Sequence, residues 1–362
     1  MKLLYIANAR IPTPRAYGLQ IVKTVEAFSL AGVQVELVVP TRKAQSLEDP
    51  FDYYNVQNRF PIITTPVGDF LSWGPLGFLI SAFLFARKVQ SLPVFKEADV
   101  LYSRDALVLL SYLARGRSIV YEAHAKPSHI SRIVARHATR VVVISEGLRT
   151  AYENVGVAPE NIVVAPDAVD EHLFDGAPTR DAARTMLGLP KDAAIALYAG
   201  HLYPRKGAGI FAEAAQVLSN VLCVFVGGTE EDVAAFRERW GHEPHIKIIG
   251  HIPHVQVPAY LRAANVLVLP NSAQNENAAQ FTSPMKLFEY LASGTTIVAS
   301  DVPAIREVLD ETSAYLVNPD DAPALARGIE EALGDQTRAQ RALSLSRNYT
   351  WRARVQVILA HL

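Results

Sequence analysis

Twelve short apolar runs rich in β-branched residues follow one another along the chain, at 3–7, 33–39, 100–102, 119–121, 141–144, 162–165, 195–199, 221–226, 246–249, 266–269, 296–299 and 314–317, separated by helix-patterned stretches. Most are continuous rather than alternating, as a parallel strand covered on both faces requires. Strand and helix in alternation confine the chain to the α/β class, with doubly wound parallel sheets.

A length of 362 residues exceeds what one hydrophobic core serves, so two Rossmann-like domains are expected. After the sixth run, Pro166-Asp167-Ala168-Val169-Asp170 and Gly176-Ala177-Pro178 form a turn-rich stretch that reads as a hinge. The expected divisions are 1–172, 173–344 and a terminal helix at 345–362. Ligands of open α/β sheets bind beyond the carboxyl ends of the strands, so two such domains facing each other would share one cleft.

With 50% apolar and 20% charged residues, the composition excludes a disordered chain. The lone cysteine, Cys223, permits no intrachain disulfide and reads as a core residue. The stretch Met1 to Asn8 is too short in apolar residues for a signal peptide and runs directly into a strand, which predicts a cytoplasmic protein. The charge-free stretch 70–86 has 17 residues and contains Gly74, Pro75 and Gly77. A bilayer span needs about 20 apolar residues, so a buried or surface-lying helix is expected there.

Charge is unevenly distributed. Residues 1–150 hold 18 Lys+Arg and 11 Asp+Glu, a net of +7, and the remainder holds 17 and 25, a net of −8. Arg132, Arg136 and Arg140 recur beside Lys126, and Trp73, Arg87 and Lys88 flank the charge-free stretch. This basic half reads either as a solvated face or as a peripheral contact with the inner face of an anionic membrane. No recognisable nucleic-acid motif accompanies the charge, so nucleic acid is not expected as a partner.

Several strand-end segments bear residues suited to chemistry. Gly18 stands where a helix starts after the first run, allowing a phosphate to approach the backbone, although an ordinary turn reads the same way. The three-glycine dinucleotide fingerprint is absent, which argues against an NAD enzyme. In Gly200-His201-Leu202-Tyr203-Pro204-Arg205-Lys206-Gly207, two adjacent cations stand at a helix amino terminus, where the helix dipole disfavours them unless an anion lies between. A diphosphate meets that requirement. Ser283, Pro284 and Gly294 bracket a short helix through Met285 and Lys286, with Ser283 as N-cap and open N–H groups for an anion. Within it, Glu289 is surrounded by apolar residues and needs a partner, either ribose hydroxyls or a salt bridge.

In the first half, Tyr121-Glu122-Ala123-His124 and Ser103-Arg104-Asp105 end strands. His124 is placed to bond a sugar or polarise a reacting oxygen, or to serve as a satisfied structural histidine. Ser145 reads as an N-cap or as a site residue. His242, His245, His251 and His254 lie close in sequence, but the run 246–249 carries the pairs to opposite strand ends, so no metal site is expected.

Together these segments resemble the retaining glycosyltransferases of family four, which have the GT-B fold. The matching pieces are the Gly18 loop, Tyr121 to His124, Val143-Ile144-Ser145-Glu146, Pro166 to Asp170, Tyr198-Ala199-Gly200 with Arg205-Lys206-Gly207, Val226-Gly227-Gly228, and Ser283 to Gly294 followed by Ile297-Val298-Ala299-Ser300. They occur in the family's order along nearly the whole chain.

The resemblance implies a sugar transferred from a UDP- or GDP-sugar to a hydroxyl acceptor, with cell-envelope glycan or glycolipid synthesis as the expected setting, without an obligatory metal or other cofactor. Lys206, with Arg205, would bind and stabilise the departing diphosphate. Glu289 would bind the ribose, the backbone of Ser283, Pro284, Met285 and Lys286 the phosphate, and Ile252 the base through its main chain. Gly18, His201 and Gly227 fall on the donor side. His124 would stand near the sugar and the acceptor, with Glu122, Arg104 and Ser145 on the acceptor side. The last helix would cross back onto the first domain. The acceptor hydroxyl would attack from the face the diphosphate leaves, passing its proton to the leaving phosphate oxygen.

Two positions depart from the family pattern. His201 stands where an arginine is usual, and Phe281 where a donor-sugar glutamate is usual, with Glu276 nearby but out of register. The same plan also suits a nucleotide-sugar 2-epimerase or a catalytically silent nucleotide-sugar-binding protein.

Overall fold

The computed structural model describes residues 1–42, 48–68, 70–203 and 206–362. The chain divides into two compact units, Met1–Asp167 with Trp351–Leu362, and Ala168–Thr350.

The first unit contains seven strands: β1 (Lys2–Ile6), β2 (Gln34–Thr41), β3 (Ile62–Pro66), β4 (Val100–Ser103), β5 (Ser118–Ala123), β6 (Arg140–Val143) and β7 (Ile162–Val164). They form one parallel sheet in the order β3-β2-β1-β4-β5-β6-β7. The second unit contains β8 (Ala194–Ala199), β9 (Val221–Val226), β10 (Ile246–Gly250), β11 (Val266–Leu269), β12 (Thr296–Ser300) and β13 (Tyr315–Val317), parallel in the order β10-β9-β8-β11-β12-β13. Each sheet reverses its winding once, between β1 and β4 and between β8 and β11. Crevices beyond the carboxyl ends of those strand pairs are the preferred ligand sites of such sheets.

Burial explains the continuous apolar runs. Leu197, Leu267 and Ile297 face a core closed by Leu287 and Leu291, whereas Ala196, Tyr198, Cys223 and Phe225 face a second core closed by Phe211 and Ile329. Successive residues of a strand point to opposite faces, and here both faces are dry. Burial in the second core pushes the Cys223 thiol up to about 12.

All twelve runs form strands. The thirteenth, β3, has no counterpart among them. It pairs only with β2, buries Thr65 alone, and contains two threonines and a terminal proline, so no continuous apolar run marks it. The charge-free stretch forms a helix at Gly74–Gln90, one face of which packs inward through Ser81, Ala82, Phe85, Ala86 and Val89. No helix among the described residues is long and apolar enough to cross a membrane.

Candidate functional site: two strand-end clusters

In the first unit, β5 delivers Glu122 into a fully enclosed position. Its Oε1 accepts from Gln20 Nε2, from His124 Nε2 at 2.6 Å and from Arg354 Nη2 at 2.7 Å, while Oε2 accepts from the Tyr102 hydroxyl at 2.6 Å. Burial opposes ionisation, but the Arg354 guanidinium and the His124 hydrogen bond outweigh it and hold the Glu122 carboxyl well below the usual carboxylate range. Glu122, expected beside the acceptor, is fully enclosed, and its links to the other expected residues run directly to His124 and through Gln20 to Arg104.

A carboxylate can only accept, so His124 Nε2 carries the proton and Nδ1 keeps its lone pair. Burial, reinforced by the Arg104 charge, lowers the His124 pKa and favours neutral imidazole. Asp167 stands within electrostatic reach of His124, its own carboxyl pushed up by burial. Arg104 Nη1 donates to Gln20 Oε1 at 2.6 Å, which ties Arg104 to the same network.

Gly18 and Ser145 have structural duties. Gly18 lies in the first turn of the helix Ala16–Leu30, its N–H bonded to Arg15 O. A Cβ there would collide with the Tyr54 hydroxyl. Ser145 is fully buried and caps the helix Glu146–Glu153 by accepting from Leu148 N at 3.2 Å, the plainer of its two readings.

In the second unit, glycines allow backbone to meet backbone beyond the carboxyl ends of β8, β9 and β11. Gly207 has φ +78°, and a Cβ there would strike the Pro270 carbonyl beyond β11. Gly227 has φ +106°, and its Cβ would lie 2.7 Å from Gly200 O. Such contacts suit only glycine. Beside them, the helix Met285–Ser293 begins at Pro284, one residue later than the expected Ser283 cap, with no side-chain cap, and ends at Gly294 in the left-handed region. Pro284 has no side-chain acceptor to offer, and the helix dipole makes this amino terminus electropositive.

Lys286 Nζ lies 4.0 Å above the Tyr198 ring centroid, with no hydrogen-bond partner. Lys206 is within electrostatic range. One turn on, Glu289 Oε1 meets His254 Nε2 at 2.6 Å. Glu289 thus has a side-chain hydrogen-bond partner in His254, the last histidine of the 242–254 segment. Among the described residues no group of three or more His, Cys, Asp or Glu side chains converges as a metal site would. Ile252, two residues before His254, packs against the core. His201 stacks on Tyr203 and its Nδ1 stands 3.7 Å from Asp232 Oδ2. Phe281 is buried, and Glu276 is exposed on the short helix Glu276–Gln280. Arg205 lies outside the described residues.

Sequence reasoning missed Gln20, Tyr102, Arg354, Tyr198 and His254 as members of these clusters. Only His254 carried a signal, its place in a histidine-rich segment.

Residues 193–335 match the family described as Glycosyl transferases group 1. The D-inositol 3-phosphate glycosyltransferase 1 of Catenulispora acidiphila is 28% identical over 225 residues, 57% of this chain and 52% of that protein. The chain thus spans about half the length of that relative. Among solved structures, the sucrose-phosphate synthase of Thermosynechococcus elongatus superposes with a TM-score of 0.79 at 19% identity, covering 99% of this chain and 97% of that one. Anabaena HepE, solved with UDP and glucose, gives 0.78 at 19% identity over 100% of both chains. These likenesses establish the GT-B fold.

Proposed function

We propose, from the premise that residues 193–335 belong to the glycosyl transferases group 1 family, that the protein transfers a sugar from a UDP- or GDP-sugar to a hydroxyl acceptor with retention of configuration. The observation that carries this reading is the second unit's winding reversal. There Lys206, Lys286 and Glu289 gather at the amino-terminal end of the helix Met285–Ser293, with glycine clearing the backbone around them. Cations and open N–H groups suit a diphosphate, and the carboxylate one turn on suits a ribose diol.

In the proposed reaction the bond from the anomeric carbon to the diphosphate oxygen breaks, and the acceptor oxygen bonds that carbon on the same face. The acceptor proton passes to the leaving phosphate oxygen. Lys206 stabilises the charge that develops there, and Arg205 is assigned the same duty by its adjacency. His124, neutral and held by Glu122, is the group proposed to bond the sugar or the acceptor. No metal is required by this scheme.

UDP is the nucleotide to try first, since Anabaena HepE was solved with it. Thermal melting with UDP, GDP and ADP tests the reading: a ligand at 100 times its dissociation constant stabilises by about 2.7 kcal/mol. A rise with one nucleotide that is lost in Lys206→Ala and Glu289→Ala supports a donor site. No rise with any of them overturns it. Binding without turnover across a sugar and acceptor screen points instead to a silent binding protein.

A membrane contact for the basic first unit is supported by the helix Gly74–Gln90. Leu76, Phe78, Leu79, Phe83 and Leu84 are exposed on it, with Trp73 just before. Arg87 and Lys88 follow in its last turn and, with Pro66, Val67 and Leu84, line a shallow groove. An apolar face ending in cations matches an anionic bilayer surface.

A further inference from the structure

Lys286 is the most anomalous polar group in the second unit. Its Nζ is enclosed, and it is among the few buried side-chain nitrogens without a hydrogen-bond partner. A buried ammonium without an acceptor is costly, so such a group either gives up its proton or awaits an anion. Tyr198 offers only the face of its ring, because its hydroxyl donates to His201 O at 2.6 Å. From the neighbouring loop Lys206 adds like charge. On the lysine's own helix Glu289 is the opposing charge, and its carboxylate is already paired with His254. The Tyr290 hydroxyl accepts from Ala199 N–H and donates to Val268 O. Burial first, and Lys206 second, lower the Lys286 pKa well below its ordinary value.

The direction in which Nζ points gives this anomaly a use. A Cβ built on Gly200, the residue after β8, would stand 3.5 Å from Nζ. The amine is therefore aimed at the carboxyl end of the strand beside the winding reversal, where the backbone is bare. The lysine also occupies the first turn of the helix that starts after Pro284, the end at which helix N–H groups and the dipole favour an anion.

We propose that Lys286 Nζ is a direct ligand of the donor's diphosphate, uncharged in the empty site and protonated as the donor arrives, so that donor binding takes up a proton. This rests on the donor-site reading above and adds to it a second side-chain cation, one that enclosure without an acceptor keeps neutral until phosphate oxygens supply one. The amine gains its proton from solvent, and the ammonium donates to a phosphate oxygen. Without a donor, the site avoids an enclosed ammonium that has no acceptor.

Calorimetric titration with UDP-glucose, GDP-mannose and ADP-glucose at pH 8 tests this, because their bridged diphosphates have no oxygen titrating near neutrality. Run in buffers of different ionisation enthalpy, wild-type binding should show proton uptake, read as a heat that varies with the buffer. Lys286→Arg, which keeps its charge, should bind with no uptake. Lys286→Met should fold as well as wild type and bind about tenfold to a hundredfold more weakly. Binding with buffer-independent heat in the wild type overturns the proposal and leaves the donor site standing, as does unchanged affinity in Lys286→Met. Failure of all three nucleotide sugars to bind overturns the donor-site reading and this inference together.

Discussion

Arg354 Nη2 and Glu122 Oε1 meet at 2.7 Å across 232 positions of sequence, with side chains 1% and 0% exposed. Arg354 Nε also donates to Pro166 O at 3.0 Å. The terminal helix Trp351–Leu359 is thereby bonded to β5 in the first unit's interior.

Removing one member of this pair leaves an uncompensated buried charge. Glu122→Ala and Arg354→Ala should each cost about 3–5 kcal/mol in urea unfolding of the first unit. Because the Glu122 carboxyl is held below its ordinary range, its contribution is present above that range and is lost as pH falls through the depressed value. Wild-type stability should therefore fall more steeply in acid than that of Glu122→Gln. Parallel pH profiles would show that the pair does not stabilise the fold.

His124 should keep neutral imidazole into mildly acid solution, since burial and Arg104 both disfavour its protonation. If it acts as an acceptor through Nδ1, the acid limb of the rate profile lies below about pH 6.5, the ordinary histidine value. Glu122→Gln weakens the hold on Nε2–H and should lower kcat more than it raises KM. An acid limb above the ordinary value would exclude neutral His124 as the titrating group.

Two glycines at the start of one helix should respond in opposite senses to alanine. Gly207→Ala meets both a left-handed backbone and the Pro270 carbonyl, and should cost the second unit about 2–4 kcal/mol together with nucleotide affinity. Gly209, in the helix Ala208–Ala215, has nothing within 4 Å of its Cβ position, so Gly209→Ala should be stabilising by up to about 1 kcal/mol. Equal effects in chemical denaturation would refute the close approach at Gly207.

Leu79→Ser with Phe83→Ser removes exposed apolar surface without touching the inward face of its helix. Each side chain buried in a bilayer interface is worth about 1.5–3 kcal/mol. The double variant should melt as wild type yet lose sedimentation with anionic vesicles. Arg87→Ala with Lys88→Ala should make the remaining sedimentation insensitive to salt. Wild type that fails to sediment, or sediments equally with neutral vesicles, rules out this contact, and self-association in ultracentrifugation would assign the face to a second copy.

The local features were legible wherever chemistry within a few residues decides the outcome. Strands such as β8 and β11 announced themselves because both their faces are dry, and β3 did not because its two threonines and terminal proline, with only Thr65 buried, leave no apolar run. Gly294 ends its helix as its left-handed backbone allows, while the start shifted from Ser283 to Pro284, whose backbone is extended. Partners distant in sequence were not legible. Glu289 was marked as needing a partner, but nothing in the chain pointed to His254 rather than ribose, and the lone lysine among Met285, Leu287 and Phe288 gave no sign of its enclosed amine.

By itself the sequence determined the α/β class, the parallel sheets and the positions of charge at strand ends, because hydrophobic periodicity and turn chemistry act over one element at a time. Only the tertiary structure decided which charges are spent and which remain in reserve. Glu122 is consumed by Arg354 and His124, Ser145 by a helix cap, and Lys286 by nothing but the face of a tyrosine ring. Those outcomes depend on which polar atoms meet once water is excluded, and the chain order of the residues does not encode such meetings locally.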